Sequence, residues 1–212
     1  MTDDFDAVLT RFDTWLRSNA PADHASLNPP AARHDIDAVA HLRFPLHPDL
    51  VTWLERHDGV TATQGHAGPG VVLPGGLMLV TARGMREGQR DMEQAIADWV
   101  DENESERPDL RDIYEGVYGY LFHARWVPIA TDVTGGHLIV DHRDGERFGN
   151  VLYGLHKGDT SGPVKVWDSL PHMFQDLLVA LEEGSEIRLA EYTDPVAPRV
   201  SGTGDDAYVT WA

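Results

Sequence analysis

The strongest constraint on the fold of this chain lies in residues 126–153, where strand and turn signals follow one another without interruption. Apolar and polar residues alternate from His137 to His142, which is the period of a strand with one buried face. This alternation places Leu138 and Val140 on one face and the residues between them on the other. The flanking turns at Gly135-Gly136 and Asp144-Gly145 are too short to hold a parallel crossover helix. The stretch therefore predicts a meander of antiparallel strands at the centre of the fold.

Helical periodicity appears on both sides of this meander. Apolar residues at spacings of three and four predict helices over Asp3–Asn19, Asp35–Leu42, 47–59, Met85–Val100, Asp109–Tyr120 and Leu170–Glu183. Ser169 is the predicted cap of the last helix, and Gly184 is its predicted exit. Together with the meander, this order predicts an α+β fold in which a mostly antiparallel, twisted sheet has helices packed on one side.

Weaker patterns predict the remaining segments. Val71–Leu73 and Leu77–Val80 are separated by Pro-Gly-Gly and are predicted to form a hairpin, while Val164–Trp167 is predicted as a last strand. The proline-rich segment Ala20–Ala32 is predicted as a surface connection or a mobile arm. We expect one domain over residues 1–184, followed by a partly ordered C-terminal extension, 185–212, with one strand-like patch at Ile187–Tyr192.

The net charge of −18 excludes several classes of partner. Such a field repels nucleic acid and anionic lipid and attracts basic proteins. The longest nearly apolar run, Val71–Val80, has about half the length of a membrane span. The acidic N-terminal residues do not resemble a secretory signal, so we expect a cytoplasmic protein. The segment Met85–Gly116 holds 11 acidic residues against 4 basic ones and is either a solvated face or a binding surface.

Catalytic patterns are weak in this chain. There is no cysteine and no Gly-x-Ser-x-Gly elbow, and 35 acidic residues make any pair of carboxylates uninformative. The sharpest alternative is a metal site at His137, Asp141 and His142, with Asp132 and Asp144 nearby. On a strand, however, His142 points away from the other two, so only two ligands converge. We therefore assign no catalytic, cofactor or metal residue, and a metal-dependent hydrolase remains a remote alternative.

Four segments in order carry a resemblance to a known family: PDLVTWLERHDG at 48–59, LPGGLML at 73–79, WVPIATDVTGGHLIVD at 126–141 with GNVLY at 149–153, and VWDSLPHMFQDLL at 166–178. Their combination resembles the SUKH superfamily, which takes in a fungal cell-wall-assembly regulator and many bacterial proteins. The likeness covers residues 35–183. The acidic insertion at 85–116 and the tail after Gly184 depart from the family pattern.

The resemblance implies an α+β domain without established catalytic apparatus, used in bacteria chiefly as an immunity protein that neutralises a polymorphic toxin, often a nuclease or deaminase. Some members resemble regulatory adaptors instead, of cell-wall or signalling type. The residues that match the family pattern are Trp53, Asp58, Gly59, Leu73, Pro74, Trp126, Pro128, Asp132, Gly135, Asp141, Gly149 and Val151. Most of them read equally well as fold determinants, since they are turn glycines, bend prolines and core tryptophans.

The acidic insertion is where we expect a partner to bind. A toxin that acts on nucleic acid needs a basic cleft, and an acidic inhibitor can occupy that cleft by mimicking phosphate charge. The candidate contact residues are Glu102, Glu104, Glu106 and Asp109. The expected partner is a basic toxin domain, and no cofactor is expected.

Overall fold

The computed structural model describes residues 5–40, 43–61, 68–102, 123–154, 163–191 and 193–212, with the backbone alone for 95–102. Six helices are described: α1 Phe5–Asn19, α2 Pro21–Ser26, α3 Arg33–Ala38, α4 Pro48–Arg56, α5 Ala82–Glu102 and α6 Leu170–Glu183. The strands are β1 Met78–Leu79, β2 Trp126–Thr131, β3 His137–Asp141, β4 Val151–Gly154, β5 Val164–Trp167, β6 Pro198–Ser201 and β7 Tyr208–Trp211.

The five strands β1 to β5 form one sheet in the order in which they occur along the chain. Every neighbouring pair is antiparallel, and a register shift between Pro128 and Ala130 marks an irregularity where β2 meets β3. Such irregularities bend a strand and increase its twist. The predicted antiparallel meander and the α+β fold class are confirmed.

Strand β3 divides its side chains between the two faces of the sheet, as its alternation predicts. Leu138 and Val140 belong to the main hydrophobic core. Ile139 packs instead with Trp126 and Leu152 in a separate group, which we call the outer cluster. The sheet therefore buries apolar residues on both faces, although the larger core lies on only one of them.

The helices on the main face meet at Phe174 of α6. Its ring lies 5.3 Å from Phe12 of α1 in an edge-to-face arrangement and 5.0 Å from Trp53 of α4. Helix α6 has the predicted boundaries, because Ser169 Oγ accepts a hydrogen bond from the N–H of His172 (3.3 Å) and Gly184 ends the helix in the left-handed conformation at φ 70°. The aromatic contacts and the capped helix fix three helices on one side of the sheet.

The prediction that Ala20–Ala32 is a surface connection or a mobile arm is wrong. This segment contains α2, which begins at Pro21, and the side chain of Asp23 within it is completely buried. Asp23 accepts hydrogen bonds from the N–H groups of Gly70 (2.8 Å) and Val209 (2.6 Å). Proline suits the first helical position, so Pro21 marks a helix start here, whereas Pro29 and Pro30 lie in the connection to α3.

The prediction of a hairpin between Val71–Leu73 and Leu77–Val80 is also wrong. Pro74–Gly76 forms a 3-10 turn, and β1 pairs with β2, so that Met78 lies opposite Thr131. Residues 71–73 are buried in the core but belong to no strand. Apolar runs of this length indicate burial, which a core loop satisfies as well as a strand does.

The C-terminal segment is more extensively structured than one strand-like patch. Strands β6 and β7 form an antiparallel hairpin, and Val209 belongs to the main core together with Leu189. The predicted patch at 187–192 reduces to one bridge between Ile187 and Val196, with residue 192 outside the described residues. The domain boundary at residue 184 stays a prediction.

Candidate functional site

Helix α5 carries the first part of the acidic segment, and its N-terminal end is fixed to the rest of the fold. The carboxylate of Asp58 accepts a hydrogen bond from the N–H of Ala82 (2.6 Å), and Thr81 Oγ1 accepts one from the N–H of Gly84 (3.0 Å). Both oxygens satisfy N–H groups that a helix leaves unpaired in its first turn. The start of α5 is thus tied to the loop that follows α4.

One turn further along, α5 lies directly against strand β2. A β-carbon on Gly88 would be 3.0 Å from Cγ of Pro128, so the helix and the strand are in close contact there. The next residue, Gln89, is fully buried and donates a hydrogen bond from Nε2 to the carbonyl of Trp126 (3.1 Å). These contacts hold the helix against the sheet before its acidic half begins.

Charge is unevenly distributed along α5. Residues 82–94 contain three arginines and three acidic residues, whereas residues 95–102 contain three acidic residues and no basic one. The C-terminal end of a helix carries the negative end of the backbone dipole, so each acidic residue there is unfavourable by about 0.3–1 kcal/mol. A cationic surface near this end would interact favourably with both the side-chain charges and the dipole.

The structure describes only part of the predicted contact surface. Glu102 is the last residue of α5. Glu104, Glu106 and Asp109 lie outside the described residues, as does the helix predicted from Asp109 to Tyr120. Binding of a partner by these four residues therefore stays a prediction.

An ion pair between the buried Asp141 and the partly exposed Arg143 lies beside the outer cluster. Asp141 is completely buried, and Arg143 donates to both of its carboxylate oxygens, from Nε to Oδ1 (3.0 Å) and from Nη2 to Oδ2 (2.6 Å). The guanidinium group also lies over the ring of Trp126, 5.1 Å from its centroid. A bidentate pair of this kind neutralises a carboxylate that would otherwise be costly to bury.

The metal site considered from the sequence is not assembled. Both oxygens of Asp141 already bind Arg143, and the His142 ring contacts instead the rings of Phe44 and Phe148, at centroid distances of 5.2 and 6.1 Å. Burial lowers the pKa of His142 to about 4, so its imidazole is neutral at pH 7. Within the described ranges, no three His, Asp or Glu side chains come together as a metal site.

Some of the residues that match the family pattern lie in turns and stabilise the backbone conformation there. Asp132 Oδ1 accepts hydrogen bonds from the N–H groups of Thr134 (2.7 Å) and Gly136 (2.9 Å), as expected for an aspartate that caps a turn. Gly149 has φ 92°, and a β-carbon there would be 2.5 Å from Nε2 of His47. Gly135 has φ 93° in the turn after β2. These positions set turn geometry.

The remaining matched residues are mostly in the interior. Those that are buried are Trp53, Gly59, Leu73, Pro74, Trp126, Pro128, Asp141 and Val151. Asp58, described above, is half-buried and caps α5. The structure distributes the matched residues over the core and the turns and does not bring them together in one site.

Sequence reasoning missed a polar cluster that joins α1 to the end of α4. Asp13 Oδ2 accepts a hydrogen bond from Arg56 Nε (2.8 Å), and its other oxygen lies 3.0 Å from His57 Nε2. Burial alone would raise the pKa of Asp13, but the bonds and charges of His57 and Arg56 outweigh it and lower the pKa. Asp13 and His57 are separated by 44 positions in the sequence, so no local pattern indicates this contact.

Comparison with known proteins places this architecture in a family. No helix in the described part of the chain has the length and apolar character that a membrane crossing requires. A search of curated proteins found no match. The model of the SMI1/KNR4 family (SUKH-1) matches residues 30–176, more than two thirds of the chain, in a stretch that includes α4, α5 and the central sheet. The chain belongs to the SMI1/KNR4 family (SUKH-1).

Proposed function

We propose that this chain is a non-enzymatic, cytoplasmic immunity protein that binds and neutralises a basic toxin domain. Membership of the SMI1/KNR4 family carries the general part of this proposal, because the family fits an immunity or regulatory role. The unbalanced charge of α5 carries the specific part, since it points to a cationic partner.

The placement of α5 supports a role in recognition. Its first turns are anchored by Asp58 and by the buried amide of Gln89, so the helix direction is set by the fold. The acidic half, 95–102, follows this anchored part of the helix, and the acidic sequence continues beyond it to residue 106. Charge presented on an anchored helix can steer a basic partner without the entropic cost of ordering a free chain.

The acidic half of α5 is costly to the folded chain in isolation. Acidic side chains repel one another and the negative end of the helix dipole, and the last turn contains no basic residue. A basic toxin surface removes this repulsion when it binds. The proposal therefore predicts that charge reversal weakens binding without weakening the fold.

The proposal predicts a toxin gene next to the gene of this chain. The test is binding of that toxin domain, measured by surface plasmon resonance at about 0.1 M and about 1 M salt, where the screening length falls from roughly 10 Å to 3 Å. One variant reverses Glu102, Glu104, Glu106 and Asp109 to lysine. A matched control reverses four exposed acidic residues elsewhere: Glu183, Glu186, Glu191 and Asp205.

Both variants change the net charge by the same amount, so they separate a local surface from the overall field. We expect the α5 variant to lower the association rate by about 10- to 1,000-fold at low salt and the control to lower it much less. Equal effects would refute the α5 surface. Failure of the wild-type chain to bind and inhibit the toxin would refute the immunity function. Several weak partners in a native lysate would favour a regulatory adaptor.

A further inference from the structure

The chain contains two Asp-Gly pairs, at residues 58–59 and 144–145, and the structure gives them opposite environments. Asp-Gly is the sequence in which the backbone nitrogen of the second residue most readily attacks the side-chain carboxyl carbon of the first. Glycine has no side chain to obstruct the attack and tolerates the backbone conformations that it requires. Chemistry alone therefore does not distinguish the two pairs.

The pair at 58–59 is held on both sides. Asp58 Oδ1 accepts the hydrogen bond from Ala82 N–H at 2.6 Å, so ring closure would remove the cap of α5. Gly59 is buried, and even a β-carbon added to it would be 2.5 Å from the backbone carbon of Val80. The movement of Gly59 that the reaction needs is therefore opposed by the packed backbone of Val80.

The pair at 144–145 lies at the tip of the loop between β3 and β4. The side chain of Asp144 is 89% exposed, and a β-carbon on Gly145 would find no atom within 4 Å. Among the described residues, the Gly145 N–H has no hydrogen-bond acceptor. Within the described ranges, the carboxylate of Asp144 has one partner, Arg125, whose Nη1 is 2.8 Å away and whose side chain is 40% exposed.

The base of this loop is closed, so its tip can change while the sheet stays paired. Gly149 N–H donates to the carbonyl of Asp141 (2.7 Å), and Asp141 N–H donates to that of Asn150 (2.9 Å). The bend at Asp144 and Gly145 lies outside these bonds. Local rearrangement there does not require opening of the meander.

We propose that Asp144 is a site of spontaneous isomerisation to isoaspartate, and that Asp58 is protected from the same reaction by the fold. The Gly145 nitrogen forms a bond to Cγ of Asp144, and the carboxyl hydroxyl leaves as water together with the amide proton. Water then opens the resulting five-membered succinimide at either carbonyl. Attack at the backbone carbonyl gives isoaspartate, in which the main chain runs through the β-carbon. No oxidant or other reagent is consumed.

Isoaspartate changes the surface of the loop and presents a new α-carboxylate that other proteins can recognise. One extra main-chain atom moves the carboxylate away from Arg125 and displaces Gly145, whose carbonyl accepts a hydrogen bond from the N–H of Phe148 (3.1 Å). The new α-carboxylate is also a substrate for enzymes that methylate isoaspartyl groups. The fraction of molecules with isoaspartate at residue 144 therefore increases with the age of the protein.

The test uses the purified full chain, incubated at neutral pH and sampled over weeks. Digestion with a protease that cleaves before aspartate but not before isoaspartate, followed by mass spectrometry, measures each site separately. We expect isoaspartate at residue 144 to form at least about tenfold faster than at 58, because Asp58 reacts only in locally opened molecules. Gly145→Ala should slow the reaction at 144, whereas Arg125→Gln should accelerate it by freeing the carboxylate.

The same chain incubated in denaturant is the control. There the two sites should react at similar rates, which would assign the difference to the fold. Absence of isoaspartate at 144 in the folded chain, or equal rates at 58 and 144 before unfolding, would overturn the proposal. A difference between the sites that persists in denaturant would overturn it as well.

Discussion

The buried imidazole of His142 should make the fold lose stability as the pH falls from 7 to 5. Its side chain is 1% exposed, and Nδ1 lies 3.1 Å from the carbonyl oxygen of Val140. Burial is the largest influence and lowers its pKa to about 4. In the unfolded chain the same group titrates near about 6.5.

The sign of the effect follows from which state binds the proton. Between these two values the unfolded chain is protonated at this residue while the folded chain is not, so protons favour unfolding. The stability contributed by neutral His142 is present above about pH 6.5 and is lost as the pH falls toward 4. Linkage gives a loss of about 2 kcal/mol between pH 7 and pH 5, and about 3 kcal/mol in full.

His142→Phe removes this titration and keeps an aromatic ring in contact with Phe44 and Phe148. The variant loses the bond to Val140, and also the buried Nε2 atom, which has no hydrogen-bond partner among the described residues. Urea denaturation followed by tryptophan fluorescence should show that its loss of stability from pH 7 to pH 5 is smaller than that of the wild type by about 2 kcal/mol.

The matched control is His34→Gln, which removes an imidazole whose side chain is 83% exposed. We expect this variant to retain the pH dependence of the wild type. If His142→Phe loses as much stability as the wild type between the two pH values, His142 does not carry the effect. The imidazole titration of His142, followed by NMR, then measures its pKa directly.

Three further perturbations address the packing. Asp23→Ala should lower the free energy of unfolding by about 2–4 kcal/mol, measured by urea denaturation, because two buried N–H groups lose their acceptor; an effect under 1 kcal/mol would contradict this account. Gly59→Ala should lower the melting temperature far more than Gly184→Ala, although both glycines have a similar positive φ, 65° and 70°. The reason is that a β-carbon at 59 would be 2.5 Å from Val80, whereas one at 184 meets no atom within 4 Å. Equal shifts in melting temperature would refute this explanation. Asp13→Asn should make the free energy of unfolding depend less on pH in the acid range, since the lowered pKa of Asp13 contributes stability above about pH 4 that is lost at lower pH. An unchanged acid unfolding curve would show that this cluster does not contribute to the pH dependence.

The parts of the fold that follow from local patterns were predictable. Alternation in β3 separates Leu138 from Ile139, and Ser169 and Gly184 bound α6, because each of these signals is contained within a few residues. Local signals of this kind do not depend on which distant segment supplies the partner. The antiparallel order of the sheet follows in the same way from short turns.

Contacts between distant segments were not predictable from one sequence. The buried state of Asp23 depends on an N–H group in β7, and β1 finds its partner in β2 and not in the apolar segment just before it. The same holds for the cluster of Asp13, Arg56 and His57. In the sequence, a polar residue that is buried with distant hydrogen-bond partners cannot be distinguished from a polar residue on the surface.

The candidate binding surface was only partly accessible to sequence reasoning. Acidic composition identifies where charge is concentrated, but solvated faces have the same composition. The observation that goes beyond composition is that α5 is anchored at Asp58 and Gln89 and that its acidic residues continue to Glu102. The charges of 95–102 therefore belong to a helix of defined direction.

The hydrogen bond from Val209 to Asp23 spans 186 residues of the chain. During synthesis α2 therefore leaves the ribosome long before Val209 is made, and until then one carboxylate oxygen of Asp23 lacks its hydrogen-bond donor. Formation of β7 therefore completes the hydrogen bonding of the N-terminal helix α2. Premature termination within the last few residues should then yield chains that are synthesised almost completely and yet are recognised by cellular quality control as unfinished.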